Sequence, residues 1–201
     1  MVTKTTTENC HVTLSNLDVV ACDEFHTNEG TLLAVDYESK AVVLAQNWHG
    51  TTNGCRYAQI YGGDVTIKNC VISNSYNYAV RVGKDGTKCT LTGNLVDHPV
   101  FVDLHSSLAN ATVTFGDGVT DDNHYSANVT LVAKGSPAET VTVAPKSVVG
   151  AAPVAGDSKV TLNGFGFAKI QDAVDFAQAG DVVEVGAGEY DEVVRVATWK
   201  N

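Results

Sequence analysis

The chain has 201 residues, of which 44% are apolar and 18% charged, so it is long and apolar enough for one or two domains with a buried core and is not a disordered polymer. A net charge of −10 with no Lys/Arg cluster excludes the basic stripe that neutralises phosphates, so neither nucleic acid nor an anionic membrane is an expected partner. The same charge disfavours a strongly anionic polysaccharide unless bound calcium or a local basic spot compensates; neutral glycans and protein partners fit better, and no other cofactor is implied.

At the beginning of the chain, Met1-Val2-Thr3-Lys4 leads straight into polar threonines, without a signal peptide. No run of about 18 apolar residues follows anywhere, so membrane insertion is not expected. The expectation is a piece of a longer secreted or surface-attached protein, extracellular or at the cell surface. Cys10, Cys22, Cys55, Cys70 and Cys89 all fall in the first half, without a CxxC pair, which gives zinc and thioredoxin-like chemistry little support. They read as small buried hydrophobes, with one disulfide of undetermined pairing left open for an extracellular module.

Over the next stretch a short pattern returns: Val12-Thr13-Leu14-Ser15-Asn16, Val65-Thr66-Ile67-Lys68-Asn69, Cys89-Thr90-Leu91-Thr92-Gly93 and Ala111-Thr112-Val113-Thr114, with a weaker copy at Ala41-Val42-Val43-Leu44-Ala45. Starts at 12, 42, 65, 89 and 111 give intervals of 30, 23, 24 and 22 residues, the period of a stacked repeat. Each unit holds a second alternating run: Leu32–Asp36, Ala58–Tyr61, Ala79–Val82 and Val100–Leu104. Alternation with period two buries one face of a strand and wets the other. Asn69, Asn74, Asn77, Gly62-Gly63, Gly83 and Gly93-Asn94 punctuate the runs as turn residues. The expected fold is all-β, a right-handed parallel β-helix solenoid over residues 1–127, with one short capping α-helix near the C-terminus. An antiparallel sandwich shares many of these signals but does not require the same tetrapeptide to recur.

Residues 128–158 read as two short strands, Asn128–Val132 and Val141–Val143, and a Pro/Gly/Ala linker. Beyond it, Ile170, Ala173, Val174 and Ala177 fall on one helical face, Gly180 ends that helix, and Asp181–Val185 and Glu189–Val196 read as strands. The segment Phe167–Glu192 resembles the opening of pectinesterase-like and pectate-lyase-like β-helix proteins, F-x-x-I-Q-x-A-V-x-x-A-x-x-G-D-x-V-x-V-x-x-G-x-Y-x-E. In that superfamily the helix covers the first coil. Here the motif comes last, so residues 159–201 form a helix–strand cap unit of three possible kinds. It could start a second β-helix, dock on the module's own first coil, or dock on a neighbour's, which would give end-to-end self-association.

The resemblance brings no active site with it. Neither the Gly-x-x-Asp-Phe-x-Phe-Gly-like segment of the pectinesterases nor the calcium-binding carboxylates and basic residue of the pectate lyases has an equivalent. If the second runs stack, Asp36, Gln59 or Tyr61, Arg81 and Asp103 form an outward column at steps of about 4.8 Å, with His98 and His105 nearby in sequence. These are the candidate ligand-binding residues, and Arg81, Asp103 and His105 are the candidates for a base–acid set. An exposed Arg81–Asp103 ion pair worth under about 1 kcal/mol explains the same residues without function. Tyr57, Tyr61, Tyr76, Tyr78 and Trp48 suit either a sugar platform or a filled core. His11, His26, His49 and His124 show no metal-ligand spacing, and no metal site is expected. The function expected is non-catalytic: an extracellular β-helix module for polysaccharide or surface-glycan binding, adhesion or assembly. The alternative is a carbohydrate-active lyase, hydrolase or esterase, or a fragment of one.

Overall fold

Strand-forming Val, Thr, Ile and Leu at alternate positions govern the architecture. The structure, a computed structural model, describes residues 2–3, 10–20, 31–36, 38–51, 56–72, 78–83, 86–96, 100–103, 111–125, 131–134 and 159–196. One sheet holds six parallel strands in spatial order: Val2–Thr3, Thr31–Val35, Arg56–Ile60, Val80–Val82, Val100–Asp103 and Leu131–Lys134. The last of these lies in the stretch read from sequence as short strands and linker. A second parallel sheet holds five: His11–Ser15, Val42–Gln46, Asp64–Lys68, Lys88–Thr92 and Thr112–Phe115. A third set is made of shorter strands. Asp18–Val20 pairs with His49–Thr51, and Val71–Ile72, Leu95–Val96 and His124–Tyr125 pair with one another. The two groups are linked where Val71 N donates to Trp48 O at 2.8 Å.

Along the chain, a strand of the second sheet is followed by one of the third set and then by one of the first, and this order recurs five times. The pairing is in register at each step, with Val12, Val43, Val65, Cys89 and Val113 aligned, and likewise Leu14, Ala45, Ile67, Leu91 and Phe115. The chain is therefore mostly β, with parallel strands in several sheets, an arrangement compatible with a β-helix. These inward rows meet Leu33, Ala58 and Val80, and Val35, Ile60 and Val82, of the first sheet in one core. Each fully buried aliphatic side chain there contributes about 1.5–3 kcal/mol.

The corner after each second-sheet strand uses the left-handed backbone region. Asn16, Asn47, Asn69 and Gly93 take φ of 56, 55, 52 and 63° at equivalent places, and Gly116, opposite Thr92, takes 62° one place earlier. Asn tolerates this region best among residues with a side chain, and its amide adds a ladder: Asn47 Nδ2 donates to Asn16 Oδ1 at 3.0 Å and Asn69 Nδ2 to Asn47 Oδ1 at 3.5 Å. At Gly93 an added Cβ would lie 2.5 Å from Asn69 Oδ1, so a side chain there would have to displace the Asn69 amide from the ladder.

After the last four of these corners a side chain reaches back one step, from the next residue at Trp48, Cys70 and Asn94 and from seven residues beyond Gly116 at Asn123. Trp48 Nε1 donates to Leu14 O at 3.0 Å, Cys70 Sγ to Ala45 O at 3.8 Å, Asn94 Nδ2 to Ile67 O at 2.9 Å and Asn123 Nδ2 to Leu91 O at 2.8 Å. Four side chains of three chemical kinds thus perform one task. Asn94 also accepts from Cys70 N at 2.9 Å, and Asn123 accepts from Asn94 N and Nδ2 and donates to Asp121. The buried Asp121 carboxylate receives the Tyr125 hydroxyl at 2.9 Å.

Residues 159–196 make a different kind of unit. The hairpin Val160–Leu162/Phe165–Phe167 is antiparallel, and Val183–Val185 adds antiparallel to its first strand. The helix spans Ile170–Phe176. Its first N–H groups are satisfied by Glu192, which accepts from Ile170 N at 3.0 Å and Gln171 N at 3.1 Å, because Lys169 at the N-cap has no side-chain acceptor. Gln171 in turn accepts from Arg195 N at 2.7 Å and donates to Arg195 O at 3.1 Å, as a neighbouring strand would. These bonds hold residues 191–196 against the helix outside any strand ladder, so the strand expected over Glu189–Val196 is not formed.

This unit packs on the flank of the third set. Its Val160, Leu162, Phe165, Phe167 and Ala173 share a core cluster with Val71 and Leu95. Those two residues are in register with His124, whose ring stacks on Phe167 at 4.1 Å and whose Nε2 lies 3.0 Å from Gly166 O. His49 Nε2 is 3.8 Å from Asp181 Oδ1. Within each pair of the third set one residue faces the main core (Ile72, Val96, Tyr125) and the other faces the C-terminal unit.

Two substitutions test the corner. Asn94→Ala strands the Cys70 N–H and is expected to lower stability by about 1–3 kcal/mol in urea unfolding. Gly93→Ala, with the same backbone length, is expected to destabilise as well through its clash with Asn69.

Candidate ligand-binding face

The first sheet brings four of the expected residues to one region. Gln59 and Arg81 are register partners in adjacent strands, and the row continues through Ala34 on one side and Phe101 on the other. Their neighbours on the strands, Ala58, Ile60, Val80 and Val82, are buried, so period-two alternation places Gln59 and Arg81 on the opposite face. Gln59 Nε2 donates to the Tyr78 hydroxyl at 2.7 Å. The Arg81 guanidinium carbon lies 5.8 Å from the Tyr61 ring centroid and 5.9 Å from that of Tyr78. A guanidinium placed at this distance from aromatic faces gains about 0.5–1 kcal/mol at a partly exposed site.

Tyr61 follows directly on its strand and donates its N–H to Val35 O at 2.8 Å, which sets it beside Asp36 at the end of the neighbouring strand. Asp36 O accepts from Ser39 N at 3.2 Å. Asp36 and Tyr61 are both half-buried. The Arg81 register partner in the next strand is Phe101, whereas Asp103 pairs with Lys134. Arg81 and Asp103 are therefore diagonal along the strands rather than opposite, and the single outward column read from sequence divides into two rows. His98 and His105 lie outside the described residues, as do Tyr76, Asn74 and Asn77.

Of the remaining aromatics, Trp48 and Tyr57 are each only 2% exposed and lie 6.0 Å apart in the main core. They fill the interior, and Trp48 serves as a corner donor. Asn69 is likewise a turn residue. The backward-reaching corner residues were missed in the sequence, although their place immediately after Asn47, Asn69 and Gly93 was a signal. The docking of His49 and His124 against the C-terminal unit had no local signal.

The described cysteines are free: Cys70 and Cys89 are buried and Cys10 is half-buried. Burial pushes the Cys70 thiol up, and pushes Cys89 up to about 12 with help from the nearby Asp64 charge. Burial also raises Tyr57 and Tyr125, the latter further through Asp121. Protonated, enclosed thiols are poor nucleophiles and poor metal ligands. Among the described residues no group of three or more His, Cys, Asp and Glu side chains is arranged to hold a metal ion. No helix is long and apolar enough to cross a membrane.

No protein-family model matches the chain, no curated protein matches it, and no solved structure matches it.

A thiol reagent at mildly alkaline pH is expected to leave Cys70 and Cys89 unmodified in the native protein and to label both after unfolding. Mass mapping of the labelled peptides reads the result, and rapid native labelling of Cys89 would contradict its place in the core.

Proposed function

We propose that the chain is a right-handed parallel β-helix module, of the pectin-lyase-like kind, that acts outside the cell or on its surface by holding a glycan. The fold reading is supported by the recurring order of the three strand sets, their in-register parallel pairing, and the left-handed corner residue at each step. The single observation that carries the functional reading is the Gln59–Tyr78–Arg81–Tyr61 cluster on the outer side of the six-stranded sheet.

Sugars present apolar C–H faces edged by hydroxyls, and aromatic rings beside amide and guanidinium donors match both features. The strands hold these groups on a stiff platform, so little side-chain freedom remains to be lost on binding. Catalysis is less well supported. Glycoside hydrolysis uses two carboxyl groups about 5–10 Å apart, and the described side chains of this cluster and its edge include one carboxylate, Asp36.

The test is titration of the purified chain against a panel of neutral and acidic polysaccharides, with and without calcium. Arg81→Ala and Gln59→Ala are expected to weaken binding at least about tenfold, the equivalent of about 1.4 kcal/mol, while thermal unfolding stays close to that of the parent. Binding unchanged in both variants would remove this face from the function. Soluble products found by mass spectrometry would replace the binding reading with an enzymatic one.

A further inference from the structure

The hairpin that fastens the C-terminal unit to the flank turns through Asn163-Gly164. Both residues are exposed, with φ of 51 and 78°, the two-residue turn that suits the twist of a hairpin. The ladder ends at the pair Leu162–Phe165, so the Gly164 N–H belongs to the turn and not to the strand pairing. The position a Cβ would occupy on Gly164 has nothing within 4 Å, so the turn stands clear of the rest of the chain.

The other described asparagines are placed quite differently. Asn94 and Asn123 are fully buried, with amides committed to two or more hydrogen bonds, and are followed by Leu95 and His124. Asn16, Asn47 and Asn69 also have positive φ, but their amides are joined in the corner ladder and Leu17, Trp48 and Cys70 follow them. Asn163 alone among the described asparagines combines an exposed carboxamide with a following glycine.

We propose that Asn163 is a site of spontaneous covalent modification that releases the C-terminal unit. The Gly164 amide nitrogen, giving up its proton, bonds to Asn163 Cγ, and the side-chain nitrogen leaves as ammonia, closing a succinimide. Water then opens the ring at either carbonyl. One product is aspartate, which preserves the backbone. The other is isoaspartate, which routes the main chain through the former side chain and lengthens it by one carbon.

The consequence follows from register. A two-residue turn fixes which residues of the hairpin face each other, and Phe165 and Phe167 reach Leu95 and His124 only in the present register. An extra backbone atom at the tip breaks the turn and carries Phe167 off the His124 ring. The reaction consumes only water and releases only ammonia, and its rate rises with pH because the attacking amide must lose its proton.

The whole chain is incubated at mildly alkaline pH and digested, and the peptides are mapped so that Asn163 and Asn53, the other Asn-Gly pair of the sequence, are read separately. The expected result is a one-dalton gain at Asn163, with an isoaspartyl product and loss of the ring-current shift that Phe167 imposes on the His124 ring protons. Asn163→Asp, which mimics the aspartate product, is expected to retain that shift, and Asn163→Gln to retain both mass and shift. An unchanged mass at Asn163 while the urea-unfolded chain converts overturns the modification. An isoaspartyl product with the His124 shift intact overturns the release.

Discussion

The interaction on which the rest of the structure depends is the backward hydrogen bond that Trp48, Cys70, Asn94 and Asn123 make after the last four second-sheet strands. Parallel strands align by backbone pairing alone, but pairing does not say where a strand must stop and turn. The left-handed residue makes the turn, and a side chain beyond it donates to a carbonyl of the preceding step, which has room for two donors. Leu91 O shows both at once, accepting from Gly116 N at 2.7 Å and from Asn123 Nδ2 at 2.8 Å. Because each donor needs the carbonyl of the step before it, adjacent steps support one another and distant ones do not. The core rows can then stay in line over unequal intervals, since the corner resets the register at every step.

This dependence explains what could be read from the sequence. The Val-Thr-Leu recurrence marks the second sheet because its strands are long enough to show period two, and the later alternating runs mark the first sheet for the same reason. The third set has strands of two or three residues, such as Val71–Ile72 and Leu95–Val96, too short for any period to appear. Asn16, Asn47 and Asn69 announce the corner, but Trp48, Cys70 and Asn94 look unrelated until their shared acceptor position is known. The Arg81 neighbourhood was harder still. Its strand and that of Asp103 are joined by loops of irregular length, and a slip of two residues keeps a side chain on the same face while changing its opposite partner from Asp103 to Phe101.

The C-terminal unit divides in the same way. Its helix and the strand Val183–Val185 follow from local spacing while its hairpin was not read from the sequence, and Gln171 and Glu192, two fixed positions of the motif, do local work: one pins residue 195 and the other caps the helix. Where the unit rests depends instead on outward side chains far apart in sequence. Val71 and Leu95 look like ordinary strand residues, and only their shared register with His124 turns them into a strip that accepts Phe167. That strip also explains why the third set is apolar on both sides although its strands are so short. One face belongs to the main core and the other to a separate, smaller one.

The same geometry bears on what the outer face of the six-stranded sheet can do. A simple surface ion pair would leave Arg81 mobile and salt-sensitive, worth under about 1 kcal/mol. The guanidinium is set over two tyrosine rings, one of which is itself fixed by Gln59 from the next strand. Tyr78 is 7% exposed, so its ring belongs to the wall, and its hydroxyl accepts from Gln59. A group held this way presents a defined set of donors against an apolar surface, the combination that recognition of a sugar ring requires.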